Sequence, residues 1–236
     1  MRCLCAGSNT GASVTRIKHF ISPNFTHEKL EAPSYEDIVD VFEDRMRNWL
    51  LVPAKTLLET PHGDIAAVAL AISYIECIEI YIRGQDSNKH SREFFCSGYK
   101  RIFSRRVSSF PDFLHDAIAK ELYELLRCGF AHDAMFRYGI TFTENRKEAF
   151  TVTWPKIDGE FDPNGRLISA VINPRRFIEG IEFHFNNYVK KLRLSEPSTI
   201  KNNFLTAVQL KWKLGEPGPL VGMTEQEFLS GVIPHP

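Results

Sequence analysis

Apolar residues over most of the chain recur every three or four positions, which is the spacing of an amphipathic α-helix. The pattern predicts four consecutive helices with short connections, beginning near Ser34, Asp64, His90 and Ser109. Four such helices indicate an up-and-down bundle. The helix over about 64–83 is apolar nearly all round, so we expect it at the centre of that bundle.

Local signals mark where these helices start and where one of them is interrupted. Ser34 is followed three positions later by Asp37, and Ser109 by Asp112, and both pairs match a capping box. Pro53 lacks a backbone N–H, so we expect it to kink or restart the first helix.

The fourth predicted helix carries an arginine and a histidine, Arg127 and His132, separated by four residues. Its buried stripe is predicted from the apolar residues at helical spacing, which are Leu114, Ile118, Leu122 and Leu125. Arg127 falls on the opposite face, whereas His132 rotates back toward the apolar side, so the two side chains point about 140° apart. Gly129 lies near the helix end and permits a change of direction that brings them together.

After about residue 137 the apolar positions alternate with polar ones, which is typical of strands. Segments 138–142 and 150–154 flank a charged stretch at 144–148 and predict a β-hairpin, and 167–172 supplies a third short strand. Asn173 and Pro174 then start another helix, with an N-cap and a proline in the first turn. Its apolar stripe is Phe177, Ile181, Phe185, Tyr188 and Leu192.

These elements predict a mainly α protein in three parts. Residues 1–33 form a polar N-terminal arm, and 34–194 form the helical bundle with a small hairpin or three-strand insertion at about 137–172. Residues 195–236 form a C-terminal extension that packs on the bundle, with a short helix near 199–212 and a last one starting at Thr224.

The stretch Glu121-Leu-Tyr-Glu-Leu-Leu-Arg-Cys-Gly-Phe-Ala-His132, late in a helical chain, resembles the HEPN superfamily and its Arg-x4–6-His motif. The resemblance covers roughly Tyr35 to Leu194. It implies a HEPN-like bundle acting as a homodimer, and a metal-independent endoribonuclease of toxin or phage-defence type whose composite site forms across the dimer. It also implies an antitoxin or defence protein as a partner. Other members are non-catalytic and bind RNA, a nucleotide or a partner protein, which is the alternative function here.

Metal-independent RNA cleavage needs a base for the 2′-hydroxyl, an acid for the leaving 5′-oxygen and a fixed cation at the phosphate. Histidine side chains titrate near neutrality, so His132 can serve as base or acid. Arg127 offers a planar fork to the non-bridging oxygens. A two-fold dimer supplies a second pair, and the products carry 2′,3′-cyclic phosphate and 5′-hydroxyl ends. In the alternative interpretation both residues have only structural roles: His132 caps the helix end, and Arg127 is solvated or paired with Glu124 or Asp133.

Further charged residues are candidates for supporting roles. Glu76 and Glu79 share a helix face with Arg83 and either enter the cleft to orient Arg127 or His132, or form a polar seam through the bundle. Asp133 is a third supporting candidate. A basic run either tracks an RNA backbone or is a solvated helix face; its members are Lys100, Arg101, Arg105 and Arg106.

The composition argues against several other classes of protein. The 236 residues carry a net charge of zero, which argues against a protein that coats nucleic acid by bulk charge. No cysteine pair or histidine cluster has metal-ligand spacing, so we expect no metal or cofactor. The apolar run 65–82 contains Glu76 and Glu79, so we expect no membrane association and a cytoplasmic protein. A helical scaffold in which the Arg127–His132 spacing is coincidental is the third alternative.

Overall fold

The computed structural model describes residues 20–103, 111–194 and 196–214, and within them the protein is mainly helical with a few short strands. The helices are α1 (Tyr35–Arg45), α2 (Val52–Leu58), α3 (Asp64–Ala71), α4 (Ser73–Arg83), α5 (Ser91–Phe103), α6 (Asp112–Leu122), α7 (Gly129–Asp133), α8 (Pro174–Leu192) and α9 (Thr199–Trp212). Several predictions fall outside the described residues: most of the N-terminal arm, the cap at Ser109, and the helix from Thr224.

The first predicted helix is divided into α1 and α2 by a wide π-helical turn, Met46–Leu51. The capping box at Ser34 is confirmed: its hydroxyl accepts from the Asp37 N–H, and the Asp37 carboxylate accepts from the Ser34 N–H. The predicted restart is also confirmed, because α2 begins with Pro53 in its first turn. Leu51 and Val52 are right-handed helical, so Pro53 lies where the π-turn passes into α2 and donates no backbone hydrogen bond there.

The helix predicted over 64–83 is confirmed as α3 and α4, which are separated only at Ile72. Tyr74, Ile75 and Ile78 are fully buried, because α4 packs between α5 and α9. Gly98 of α5 allows that contact: a Cβ atom built there would lie 1.9 Å from the Ile75 carbonyl oxygen.

The segment Asp64–Arg83 is long and apolar enough to cross a membrane by length and composition, and it is the one such helix within the described residues. In the folded chain 61% of its most apolar window is buried inside the protein. A core helix passes the same test, and the packing of α4 between two other helices gives this segment that place in the fold.

Three short strands form a sheet beside the helices, in the order β3 (Ile140–Phe142), β7 (Ser169–Ile172), β4 (Phe150–Thr153). The predicted hairpin is wrong, because β3 pairs parallel with β7 and β4 pairs antiparallel with the same strand. The central strand buries Ala170 and Ile172 completely, and alternation within one segment does not reveal which strand will occupy the centre. The remaining strands form pairs of their own: β1 (Phe20–Ser22) with β2 (Phe25–Thr26), and β5 (Lys156–Ile157) with β6 (Glu160–Phe161).

The cap and the apolar stripe predicted for α8 are confirmed. Asn173 Oδ1 accepts from the Arg176 N–H at 3.1 Å, and all five stripe residues are buried. The Asn173 side chain also donates to the carbonyls of Glu144 and Arg146, so one residue holds both the charged loop and the helix start. The helix predicted near 199–212 is α9, and its Phe204 is fully buried against Phe42.

Candidate functional site

The helix that carries Arg127 contains a wide π-helical turn, Tyr123–Cys128, between α6 and α7. Single π-turns of this kind occur often at functional sites. The turn holds about one residue more than an α-helical turn, so it rotates everything after it by roughly 100°. Leu126 is therefore fully buried and Leu125 only half-buried, the reverse of the stripe predicted from α-helical spacing.

The same rotation places Arg127 against α4 instead of on the solvent face where α-helical spacing placed it. Its Nη2 lies 3.3 Å from Glu76 Oε2, and the two side chains are 33% and 15% exposed. Glu76 Oε2 also accepts from Ser91 Oγ at 2.7 Å, and the Tyr123 hydroxyl donates to Ser91 Oγ at 3.2 Å. This ion pair fits both alternatives for Glu76, because it joins two helices and also fixes the position of Arg127.

Ser91 and Tyr123 were not singled out from the sequence, although both belong to this site. Burial raises the pKa of the Tyr123 phenol, and its neighbour Cys128 raises it further, so the hydroxyl stays protonated and can donate. The Arg127 guanidinium lies 6.0 Å from the centre of the Tyr123 ring. Tyr123 precedes Arg127 by four residues, and that spacing could have indicated from the sequence that the two side chains are neighbours. Ser91 comes from another helix, and no sequence pattern linked it to Arg127.

A groove of about 380 Å³ opens beside this network, between α3–α4 and the helix that carries Arg127. Arg127 and Glu76 are its charged lining residues. Most of the remaining lining is apolar, including Ile72, Ile80 and the partly exposed ring of Phe130. The groove therefore presents an oriented cation at the edge of an apolar surface.

His132 lies in the last turn of α7 with its side chain exposed, and it does not line the groove. The prediction that it rotates toward the apolar side is wrong, because the π-turn rotates this part of the helix away. Within the described residues, no hydrogen bond or ion pair joins His132 to Arg127.

Gly129 does not redirect the chain as predicted, since its backbone is right-handed helical at φ −55° and the helix continues to Asp133. The chain reverses at Ala134, where φ is +55°. Gly129 instead allows a close approach: a Cβ there would lie 3.0 Å from the Met135 carbonyl oxygen. The Arg137 N–H donates to the Leu125 carbonyl at 3.1 Å and fastens the returning chain to the π-turn.

The other predicted supporting residues lie in different surroundings. Asp133 pairs with Arg137 at 3.1 Å and not with either member of the predicted pair. Glu79 is fully buried and accepts from Arg83 Nε at 3.0 Å and from Arg101 Nε, so it forms the polar seam that was its structural alternative.

The predicted RNA-binding run is only partly described. Lys100 pairs with Asp116 at 2.5 Å, and Arg101 is held by Glu79. Arg105 and Arg106 lie outside the described residues. The two described members are thus anchored by carboxylates, and they line a cavity on a face formed by α5 and α8.

Comparison of the chain with protein-family models, with curated proteins and with solved structures finds no match. Over the described residues, no group of three or more His, Cys, Asp or Glu side chains is placed to hold a metal ion. The chemistry available at the Arg127 groove is therefore that of an oriented guanidinium, a carboxylate, two hydroxyls and a nearby exposed imidazole.

Proposed function

We propose that the protein is a cytoplasmic, homodimeric, metal-independent endoribonuclease with a HEPN-type up-and-down bundle, in which Arg127 and His132 form the active pair. The observation that carries the proposal is the orientation of Arg127 by Glu76, one helical turn before an exposed histidine. A guanidinium has five N–H donors, and Glu76 engages only one of its terminal nitrogens. The remaining donors are free to bind non-bridging phosphate oxygens.

The reaction follows from these groups. One His132 takes the proton of the 2′-hydroxyl, and the resulting oxygen attacks the neighbouring phosphorus. The bond from phosphorus to the 5′-oxygen breaks, and His132 of the second copy donates a proton to that oxygen. Arg127 stabilises the charge that develops on the non-bridging oxygens. The products are a 2′,3′-cyclic phosphate and a 5′-hydroxyl.

The dimer supplies a second histidine for proton transfer, which one chain lacks. A single His132 performs one of the two proton transfers, and it does not contact Arg127 of its own chain. Large apolar side chains are exposed around the motif: Phe130 is 37% exposed, Met135 70% and Tyr138 fully. Exposed apolar patches of this kind are typical of interaction surfaces. We propose that a second copy covers this surface, and that an antitoxin or defence protein binds the dimer in a toxin or phage-defence system.

A non-catalytic dimeric module that binds RNA, a nucleotide or a partner protein is the second candidate. The specific observation in its favour is the Arg127–Glu76 ion pair, because the carboxylate neutralises part of the charge that would stabilise the transition state of cleavage. The apolar lining of the groove also suits a protein side chain.

The test is cleavage of a labelled single-stranded RNA pool in the presence of EDTA. We expect wild-type activity to survive chelation, and His132→Ala and Arg127→Ala each to lose at least about 100-fold, the usual contribution of such groups. His90→Ala is the matched control, because His90 is an exposed histidine in the turn before α5. Cleavage should leave cyclic phosphate ends, and expression of the wild type but not of His132→Ala should slow growth.

Sedimentation of the same samples shows whether the protein is the dimer that both candidates require, and the cleavage result then decides between them. A folded dimer that cleaves no RNA, with or without EDTA, refutes the nuclease and favours the binding module. Activity that persists in His132→Ala refutes the assignment of the active pair, whichever oligomer is found.

A further inference from the structure

A second cavity lies on a different face of the protein, between α5 and α8 with edges from α4 and α9, and its volume is about 600 Å³. That is within the usual range for small-molecule sites. Three cations line it, Lys100, Arg101 and Lys191, and no carboxylate is among its lining residues. A concave site with this charge favours an anionic ligand.

Arg101 is oriented toward this cavity by the buried Glu79. Nε and Nη2 of Arg101 both bond to the Glu79 carboxylate, which is itself fully buried. Two of the five guanidinium donors are used in this way, and the others remain available. Because the carboxylate fixes the guanidinium plane, Arg101 is prepared to bind planar or tetrahedral oxyanions.

Lys191 has no ion pair in the part of the chain that the structure describes, and its side chain is exposed at the edge of the cavity. Between Arg101 and Lys191 lies His184, whose Nδ1 is 2.9 Å from the Tyr74 hydroxyl. Burial, together with the charges of Arg101 and Lys191, lowers the pKa of His184 to about 4. His184 is therefore neutral at physiological pH and can make a hydrogen bond without adding charge.

One residue that lines the cavity, Tyr188, has a buried hydroxyl. Tyr188 is 4% exposed and lines the cavity, and its hydroxyl oxygen has no hydrogen-bond partner within the described structure. Buried polar atoms of this kind are rare, and each calls for an explanation. Tyr188 lines the cavity, but its hydroxyl is too enclosed to reach a ligand there.

The cavity also has an apolar side. Phe183 lines it and is 60% exposed, and Ile82, Ile102 and Ile200 contribute aliphatic surface. An exposed ring beside fixed cations is the arrangement that holds a flat group by stacking while the cations hold a phosphate.

We propose that this cavity binds a small organic phosphate, with the phosphate at Arg101 and Lys191 and a flat group on Phe183. The proposal is independent of the nuclease, because it uses none of the residues around Arg127. The ligand is a free small molecule, and the terminal nucleotide of an RNA is the other source of the same chemistry.

The test is calorimetric titration with adenosine 5′-monophosphate, adenosine and inorganic phosphate as probes. We expect the monophosphate to bind with a Kd of about 1 mM or lower, and adenosine to bind at least about tenfold more weakly. Lys191→Gln should weaken monophosphate binding about tenfold, since one charge-assisted contact is lost. Lys190→Gln is the matched control, because Lys190 is an exposed neighbour on α8 that does not line the cavity.

Two further variants separate ligand binding from folding. Phe183→Ala should weaken binding of the monophosphate and not of inorganic phosphate. Tyr188→Phe should change neither monophosphate binding nor the free energy of unfolding in the absence of ligand by much, because it removes an unpaired hydroxyl that is enclosed in the protein.

Three results overturn the proposal. One is a folded wild type that binds no monophosphate at about 10 mM, and another is an equal loss in Lys190→Gln and Lys191→Gln, which indicates bulk attraction. The third is displacement of the monophosphate by a much lower concentration of a 5′-phosphorylated RNA oligonucleotide, when the same oligonucleotide with a 5′-hydroxyl end does not displace it. That result assigns the cavity to an RNA end and not to a free small molecule.

Discussion

Lowering the pH from 7 to 5 should destabilise the fold through His184. Its pKa is lowered from 6.5 to about 4 in the folded protein, first by burial and then by the neighbouring Arg101 and Lys191, while Glu79 acts in the opposite direction. The unfolded chain therefore takes up a proton below pH 6.5 that the folded chain refuses until about pH 4. Stability is lost as the pH falls through this window.

The expected size follows from the two pKa values. At pH 5 the unfolded imidazole is almost fully protonated and the folded one almost fully neutral, which lowers the free energy of unfolding by about 2 kcal/mol relative to pH 7. Asp44 and Glu43 are carboxylates whose pKa is lowered in the folded protein, and their contribution to stability is lost mainly below pH 5. The fall between pH 7 and pH 5 is thus attributable to histidine.

The assay is urea denaturation at the two pH values for wild type, His184→Asn and His90→Asn. Asparagine at 184 keeps a polar partner for the fully buried Tyr74 and does not titrate, so the pH dependence should shrink by most of the 2 kcal/mol. His90→Asn should behave as wild type, because His184 is still present. An unchanged pH dependence in His184→Asn would refute the argument, since the proton would then be taken up elsewhere.

Two further predictions test the packing. Leu126→Ala should lower the free energy of unfolding by about 2–5 kcal/mol and Leu125→Ala by clearly less, because only Leu126 is fully buried. Urea denaturation of both variants tests the π-turn. A larger loss in Leu125→Ala than in Leu126→Ala would show that the helix keeps α-helical spacing here. Gly98→Ala should destabilise by about 2 kcal/mol or more, since a Cβ at 1.9 Å from the Ile75 oxygen outweighs the helix propensity gained, about 1 kcal/mol. A more stable Gly98→Ala protein would show that α4 and α5 are not in this close contact.

The features that could be predicted from the sequence are those that depend on neighbouring residues. The capping box at Ser34, the N-cap at Asn173 and the restart at Pro53 each involve groups only a few positions apart, and all three are confirmed. The stripe of α8 is confirmed because that helix keeps its α-helical geometry over its whole length. Such signals are read correctly wherever the local backbone is regular.

The errors come from geometry that no local pattern encodes. Because of the π-turn, Leu126 lies in the core instead of Leu125, Arg127 faces inward and His132 faces outward. The sequence of the turn is nevertheless that of an ordinary helix. The predicted hairpin failed because strand order depends on which strand buries its apolar face. That is decided by packing between β7 and the helices and not by alternation within β3 or β4.

The alternatives for the two carboxylates of α4 are resolved differently by the helices that surround them. A carboxylate in an apolar core helix is costly unless it is paired, and each has a partner from a different helix. Glu79 is fully buried and joins Arg83 to Arg101, so it fixes α5 against α4 and directs Arg101 toward the larger cavity. Glu76 is 15% exposed and holds Arg127, so the contact that stabilises the helix pair is the same contact that orients the cation at the groove. For Glu76 the structural and functional interpretations therefore describe one interaction, and only a variant that keeps its shape and removes its charge, Glu76→Gln, can separate the loss of stability from the loss of orientation.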